Sequence, residues 1–187
     1  MLAVLLGCPG SLAVKAEQIP EMPVERYFTE EEARDRVFGA GRAWRDTLLV
    51  IDSAARHDLF EHTGLQEHEE RVRLAYALDD SGRFAGAYRV ASEVGKFLPF
   101  EFLVGLDTNL QVKDIVVLIY RESHGADVRR ARFLDQYRGK SVESPVRLNR
   151  DIIAIAGATL SSWAINRGVK KTLWWARQAW PEVGADR

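Results

Sequence analysis

From residue 71 the chain alternates, with Val72, Leu74, Tyr76 and Leu78 set against Arg71, Arg73, Ala75 and Ala77, and this period of two predicts a half-buried strand. Asp79-Asp80-Ser81-Gly82 predicts a hairpin turn, and Phe84 to Val90 returns as a second strand. Leu98, Phe100, Phe102, Val104 and Leu106 make a third. Asp107-Thr108-Asn109 then turns the chain into Ile115–Tyr120, whose unbroken apolar, mostly β-branched run predicts a strand buried on both faces. The four segments predict an antiparallel meander.

Helical signals flank this region. Thr29 followed by Glu32 has capping-box spacing, and the acidic first turn Glu30-Glu31-Glu32 suits a helix N-terminus, so a helix is expected as far as Gly39. A second should follow Asp52 or Ser53 and stop near Gly64. Beyond the meander, the loop Arg121–Ala126 leads to an expected short helix from Asp127 to Tyr137, ended by Gly139. An apolar strand is expected over Ile152–Ala156, then the turn Gly157-Ala158-Thr159. In the last segment Ile165, Val169, Leu173, Ala176 and Trp180 fall on one helical face, which predicts a long helix over about 160–180. The fold class expected is α+β, an antiparallel meander with N-terminal helices and a long C-terminal helix after a Gly-Ala-Thr turn. The chain divides into 1–23, a leader or truncated membrane anchor plus linker; 24–70, an N-terminal helical part; and 71–187, the core.

Composition narrows the function. The 187 residues are 47% hydrophobic with a formal net charge of −1, enough to bury a core and incompatible with wholesale disorder. Residues 1–70 carry a charge of −7 and the remainder +6; this is too dilute, and lacks the basic run interleaved with aromatics, for a nucleic-acid partner. The single cysteine, Cys8, excludes an intramolecular disulfide and a thiolate metal cluster. It lies in the apolar opening Met1–Ala16, where Val14-Lys15-Ala16 resembles a leader cleavage site and Leu5-Leu6-Gly7-Cys8 a lipobox, without a basic n-region. An extracytoplasmic, membrane-anchored location is the expectation from this segment. His57, His62 and His68 are spaced five and six apart, so no two share a helical face as metal ligands would, and no metal is assigned.

The strongest chemical signal is Ala156-Gly-Ala-Thr-Leu-Ser-Ser162. Small residues allow close backbone approach, and the first amides of the following helix are unpaired donors at its positive end, which suits a phosphate. Thr159 as a simple N-cap, with Ser161 and Ser162 in the first turn, explains the same residues. Around Glu122-Ser-His-Gly125, Gly125 allows close approach to a ring while Ser123 and His124 offer hydrogen bonds; a strand-terminating turn is the alternative. Lys96 is a candidate anion contact or an ordinary exposed lysine. On the last helix Trp163 and Trp174 lie with Arg167 and Lys170, either as a docking surface or as cover for a loop of the same domain.

Gly157–Ser162 followed by Ala164-Ile-Asn-Arg-Gly-Val169 resembles the flavin-attachment segment of the FMN-binding domain family, whose members occur in the Rnf electron-transport complex, in the sodium-pumping NADH:quinone reductase and in the membrane regulator of nitrous oxide reductase. The resemblance extends through Glu93-Val-Gly-Lys96, Phe102–Asp107, Tyr120–Gly125 and Arg132–Lys140, about residues 70–175. It implies FMN as cofactor, esterified through its phosphate to Thr159 by a separate flavin transferase. Gly157, Ala158, Leu160, Ser161 and Ser162 are then implied around the phosphate, and Glu122, Ser123, His124, Gly125 and Lys96 around the rest. The family usually has an acidic residue six before the Thr and a Ser or Thr three before it; here those positions are Ile153 and Ala156. The function implied is an extracytoplasmic redox carrier with a redox partner protein, in the membrane or soluble. The alternative is a flavin-free binding or interaction module of the same fold. No triad, carboxylate pair or metal cluster supports an independent substrate-converting enzyme.

Overall fold

A computed structural model describes residues 24–121 and 125–181. In chain order the elements are strand β1 (Glu25–Arg26), helix α1 (Glu30–Phe38), β2 (Arg45–Val50), α2 (Ser53–Thr63), β3 (Arg71–Leu78), β4 (Phe84–Val94), β5 (Pro99–Leu106), β6 (Val112–Tyr120), a 3₁₀ turn (Ala126–Arg129), α3 (Ala131–Leu134), a second 3₁₀ turn (Asp135–Tyr137) and α4 (Thr159–Ala179). All strand pairs are antiparallel, in the order β1-β6-β5-β4-β3-β2. The expected meander is the centre of this sheet, and the expected α+β class is the one observed.

Both N-terminal helices begin where the sequence predicts. Thr29 Oγ1 accepts from the Glu32 amide at 3.2 Å while the Glu32 carboxylate accepts from the Thr29 amide at 2.8 Å, a reciprocal capping box. Asp52 caps α2 through the Ala55 amide, and Gly64 ends it in the left-handed conformation.

The sheet is covered on both faces, which is why Ile115–Tyr120 reads as one apolar run. Ala33, Val37 and Phe38 of α1 pack with Leu103, Val116 and Leu118 on one side. On the other, Ile165, Val169 and Leu173 of α4 pack with Phe100, Phe102, Val104, Ile115 and Val117. The helix approaches the sheet most closely at Gly168, where a Cβ atom would lie 2.4 Å from the Phe102 ring. The C-terminal end of α4 is pinned by Trp180 against Phe84 and Tyr76, with ring centroids 5.2 and 5.6 Å apart.

Several local features differ from the sequence reading. Strands β1 and β2 join the sheet edges within the stretch expected to be helical. The expected helix from Asp127 to Tyr137 is broken into two 3₁₀ turns and one turn of α-helix, although Gly139 does end it, with φ +73°. Ile152–Ala156 is not a strand: only one bridge, Leu148 with Ile152, forms there. Side chains instead satisfy the Ile153 amide and carbonyl and the Ile155 amide.

Candidate functional site

The segment leading to α4 is held by a chain of side-chain contacts to its backbone. Asp151 accepts from the Arg147 amide at 2.6 Å and from Lys140 Nζ at 3.0 Å. Its carboxyl stays below the ordinary range, because burial, which pushes it up, is outweighed by these donors. Gln136 then exchanges two hydrogen bonds with one residue: its Oε1 accepts from the Ile153 amide at 2.7 Å and its Nε2 donates to the Ile153 carbonyl at 3.1 Å. The amide thus takes the place of a neighbouring strand and leaves the Ile153 side chain 74% exposed. The Ile155 amide donates to Ser162 Oγ at 3.3 Å, and Ser162 Oγ donates to the Ala158 carbonyl at 2.9 Å. Gly157, at φ +79°, makes the turn into the helix.

Thr159 is not the N-cap. Ala158 occupies that position without a side-chain cap, and Thr159 is the first residue of α4. The reason is that the Ala158 carbonyl already accepts both the Ser162 amide, at 2.8 Å, and the Ser162 hydroxyl, so the helix starts one residue earlier than a Thr159 cap requires. As a result the Thr159 side chain is exposed and its hydroxyl has no hydrogen-bond partner among the described residues. The amides of Thr159, Leu160 and Ser161 likewise donate to no backbone carbonyl there. Leu160 is exposed beside them.

The two serines are committed elsewhere. Ser161 is buried with its Oγ 2.9 Å from the Tyr120 hydroxyl, and Ser162 holds the turn. Gly125 fits against this pair: a Cβ there would lie 2.5 Å from Tyr120 Oη and 2.6 Å from Ser161 Oγ, and its φ is +92°. Glu122, Ser123 and His124 lie outside the described residues. Lys96 stands in the β4–β5 turn with its ammonium 4.7 Å over the Phe97 ring, and no hydrogen bond or ion pair joins it to 157–162.

Beside the turn opens a cleft of about 590 Å³, bounded by Phe133, Gln136 and the 153–156 segment, with Asp127, Arg130 and Arg132 on its rim. Arg130 is paired with Asp127 at 2.7 Å; Arg132 has no carboxylate partner among the described residues. Deeper, Tyr137 Oη reaches Asn166 Oδ1 at 3.4 Å, and burial pushes the phenol well above its usual range, so it stays neutral. Tyr120, Arg132 and Gln136 lie within the motifs Tyr120–Gly125 and Arg132–Lys140, but nothing in the sequence assigned them a role at the site; Arg130 carried no signal.

The two tryptophans of α4 separate. Trp163 is 43% exposed, whereas Trp174 is buried beneath His62, with ring centroids 4.6 Å apart. His62, His57 and His68 are exposed, and no metal-binding group occurs among the described residues. Also among the described residues, no helix is long and apolar enough to cross a membrane.

Comparison with known proteins agrees with the motif reading. Residues 95–173 match the model of the FMN-binding domain. Similar solved structures include NqrC of Shewanella oneidensis, with 14% identity, 73% of this chain and 84% of that chain covered and a TM-score of 0.48. The NqrC counterpart in the Na(+)-translocating NADH-quinone reductase of Parabacteroides distasonis has 11% identity, 76% and 78% coverage and a TM-score of 0.41. No curated protein matches. Three unpaired amides and an exposed hydroxyl at the start of α4, beside a cleft with one apolar wall, are in kind the groups that a phosphate and a flat ring require. The segment from residue 95 to residue 173, which includes Thr159 and most of α4, is thus that of the FMN-binding domain family, and FMN is its cofactor.

Proposed function

We propose that this chain is an extracytoplasmic electron-transfer domain whose FMN is esterified through its phosphate to Thr159. The observation that supports it most is the free Thr159 hydroxyl beside three unpaired amides at the start of α4. When bound, FMN supplies the one- and two-electron chemistry; the protein supplies position and environment. Thr159 Oγ1 would attack the flavin-side phosphorus of an FAD donor: the Oγ1–P bond forms, the pyrophosphate P–O bond breaks, AMP leaves, and the hydroxyl proton is given up to the transferase. A separate flavin transferase supplies that donor and takes the proton. The amides of Thr159, Leu160 and Ser161 face the resulting anionic phosphodiester, a stabilisation of about 0.3–1 kcal/mol at an exposed helix end. Ser161 and Ser162 are structural, which leaves Thr159 as the acceptor. The electrons pass to and from a redox partner protein.

Co-expression with a flavin transferase tests this. The wild type should fluoresce as flavin on a denaturing gel, and Thr159→Ala should not. Since Thr159 caps nothing, Thr159→Ala should leave the unfolding midpoint nearly unchanged, so loss of flavin cannot be ascribed to unfolding. Ile153→Asp with Ala156→Ser, both at exposed positions, should raise the modified fraction if the transferase reads those residues. Covalent flavin persisting in Thr159→Ala overturns the assignment.

A further inference from the structure

Val24, Val94, Phe97, Leu160 and Trp163 are between 43% and 67% exposed, and the topology gathers them at one end of the molecule. Val94 pairs with Pro99 and Glu101 with Ile119, so the β4–β5 turn lies at the end of the sheet where β6 finishes. Glu25 pairs with Tyr120, which brings Val24 to the same end. Helix α4 starts there too, because Ser161 bonds Tyr120 and Arg167 Nη2 donates to the Val94 carbonyl at 2.7 Å, with Trp163 one turn ahead of Arg167. Large apolar side chains exposed at one end of a domain suit a surface that another apolar phase covers.

We propose that this end of the domain rests on a phospholipid bilayer, with Phe97 and Trp163 seated at the boundary between headgroups and acyl chains. Two observations select a bilayer as the occupant. The 23 residues before Val24 join the domain at this end, and they open with Met1-Leu-Ala-Val-Leu-Leu6 and continue with Leu12-Ala-Val14, so the most apolar stretch of the sequence leads into the same surface. The crown itself is aromatic and cationic: Lys96 lies over Phe97, which lets the ring enter the boundary while the ammonium stays among phosphates. Such a contact is shallow and adds to whatever the first residues contribute. It also sets an orientation, with Thr159 at the lipid side of the domain. The proposal does not depend on flavin attachment.

The flavin-free 187-residue chain, pelleted with vesicles of phosphatidylcholine and phosphatidylglycerol, provides the test. Wild type should pellet, and Phe97→Ser/Trp163→Ser should weaken the partition about tenfold or more. Leu48→Ser/Phe60→Ser, which removes exposed apolar groups from the β2 edge and α2, should stay within about twofold of wild type. Acrylodan attached through Phe97→Cys, in a Cys8→Ser background, should shift to the blue on vesicles. Failure of the wild type to pellet overturns the proposal, as does equal pelleting of the Phe97/Trp163 variant or an unshifted label on bound protein. Because no flavin is present, such a failure leaves the reading of Thr159 untouched.

Discussion

The Tyr120 hydroxyl and Ser161 Oγ lie 2.9 Å apart in the interior, 41 positions apart in the chain, and join the end of the last strand to the first turn of α4. Gly125 sits against both atoms in a conformation that L side chains rarely adopt. Gly125→Ala should therefore displace the loop or break the Tyr120–Ser161 bond, at a cost of about 1–3 kcal/mol. Urea denaturation checks the cost. Tyr120→Phe, which strands the buried Ser161 hydroxyl, should cost about 1–2 kcal/mol.

Glu67 is the acidic centre of a buried ion cluster away from the cleft. It accepts from Trp175 Nε1 at 3.3 Å and lies 3.6 Å from Lys171 and 3.9 Å from Arg89, while Lys171 also reaches Glu93 at 3.0 Å. Glu67→Ala should cost about 3–5 kcal/mol, because two cations lose a buried counter-charge.

The same carboxylate makes stability pH-dependent. Burial pushes the Glu67 carboxyl up, but Lys171 and Arg89 together hold it below the ordinary 4.5. A depressed native value stabilises the fold above the unfolded value, and that contribution is lost as pH falls from about 4.5 through the native one. Unfolding midpoints across that window should fall in wild type and fall less in Glu67→Gln.

At the alkaline end, burial and then the Glu30 carboxylate, 2.8 Å away, push the Tyr88 phenol up from 10.0 to about 12. The unfolded chain therefore loses this proton first, and stability should decline as pH rises from 10 to 12. Tyr88→Phe should flatten that decline, measured by denaturation at each pH.

Trp163 and Trp174 should part company on mutation. Trp174→Ser empties a buried site under His62 and should cost about 3–5 kcal/mol, whereas Trp163→Ser should cost under about 1 kcal/mol. Of the two readings of this face, a docking surface or cover for another part of the domain, Trp174 follows the second: Arg167 and Lys170 lie on the same side, and His62 of α2 covers its lower part.

Elements with strong local signals were legible: the alternating strand at Val72–Leu78, the unbroken apolar strand ending at Tyr120, the capped helices after Thr29 and Asp52, and the apolar stripe of α4. Strand β1 was not, since two exposed residues carry no period. Strand β2 was not, since it is an edge strand whose side chains are exposed or only half-buried. Ile152–Ala156 misled because its composition suits a strand, while its backbone is bonded by the Gln136 and Ser162 side chains and not by a neighbouring strand. At the site, Gly157-Ala158-Thr159 was visible as small residues before a helix. The placement of the cap on Ala158 was not, because it depends on Ser162 folding back. Gln136 lay within the Arg132–Lys140 motif, but its bonds to Ile153 were not legible, since an amide bonding a distant backbone leaves no periodic pattern in the chain.

That amide has a practical consequence. Gln136 holds Ile153 only through its peptide groups, so the identity of the side chain at 153 is nearly independent of the fold. Position 153 is in effect a socket on the lip of the cleft. A carboxylate, a thiol or a reporter dye fitted there would project toward solvent beside the cleft without disturbing the core, and would serve as an addressable probe of whatever enters.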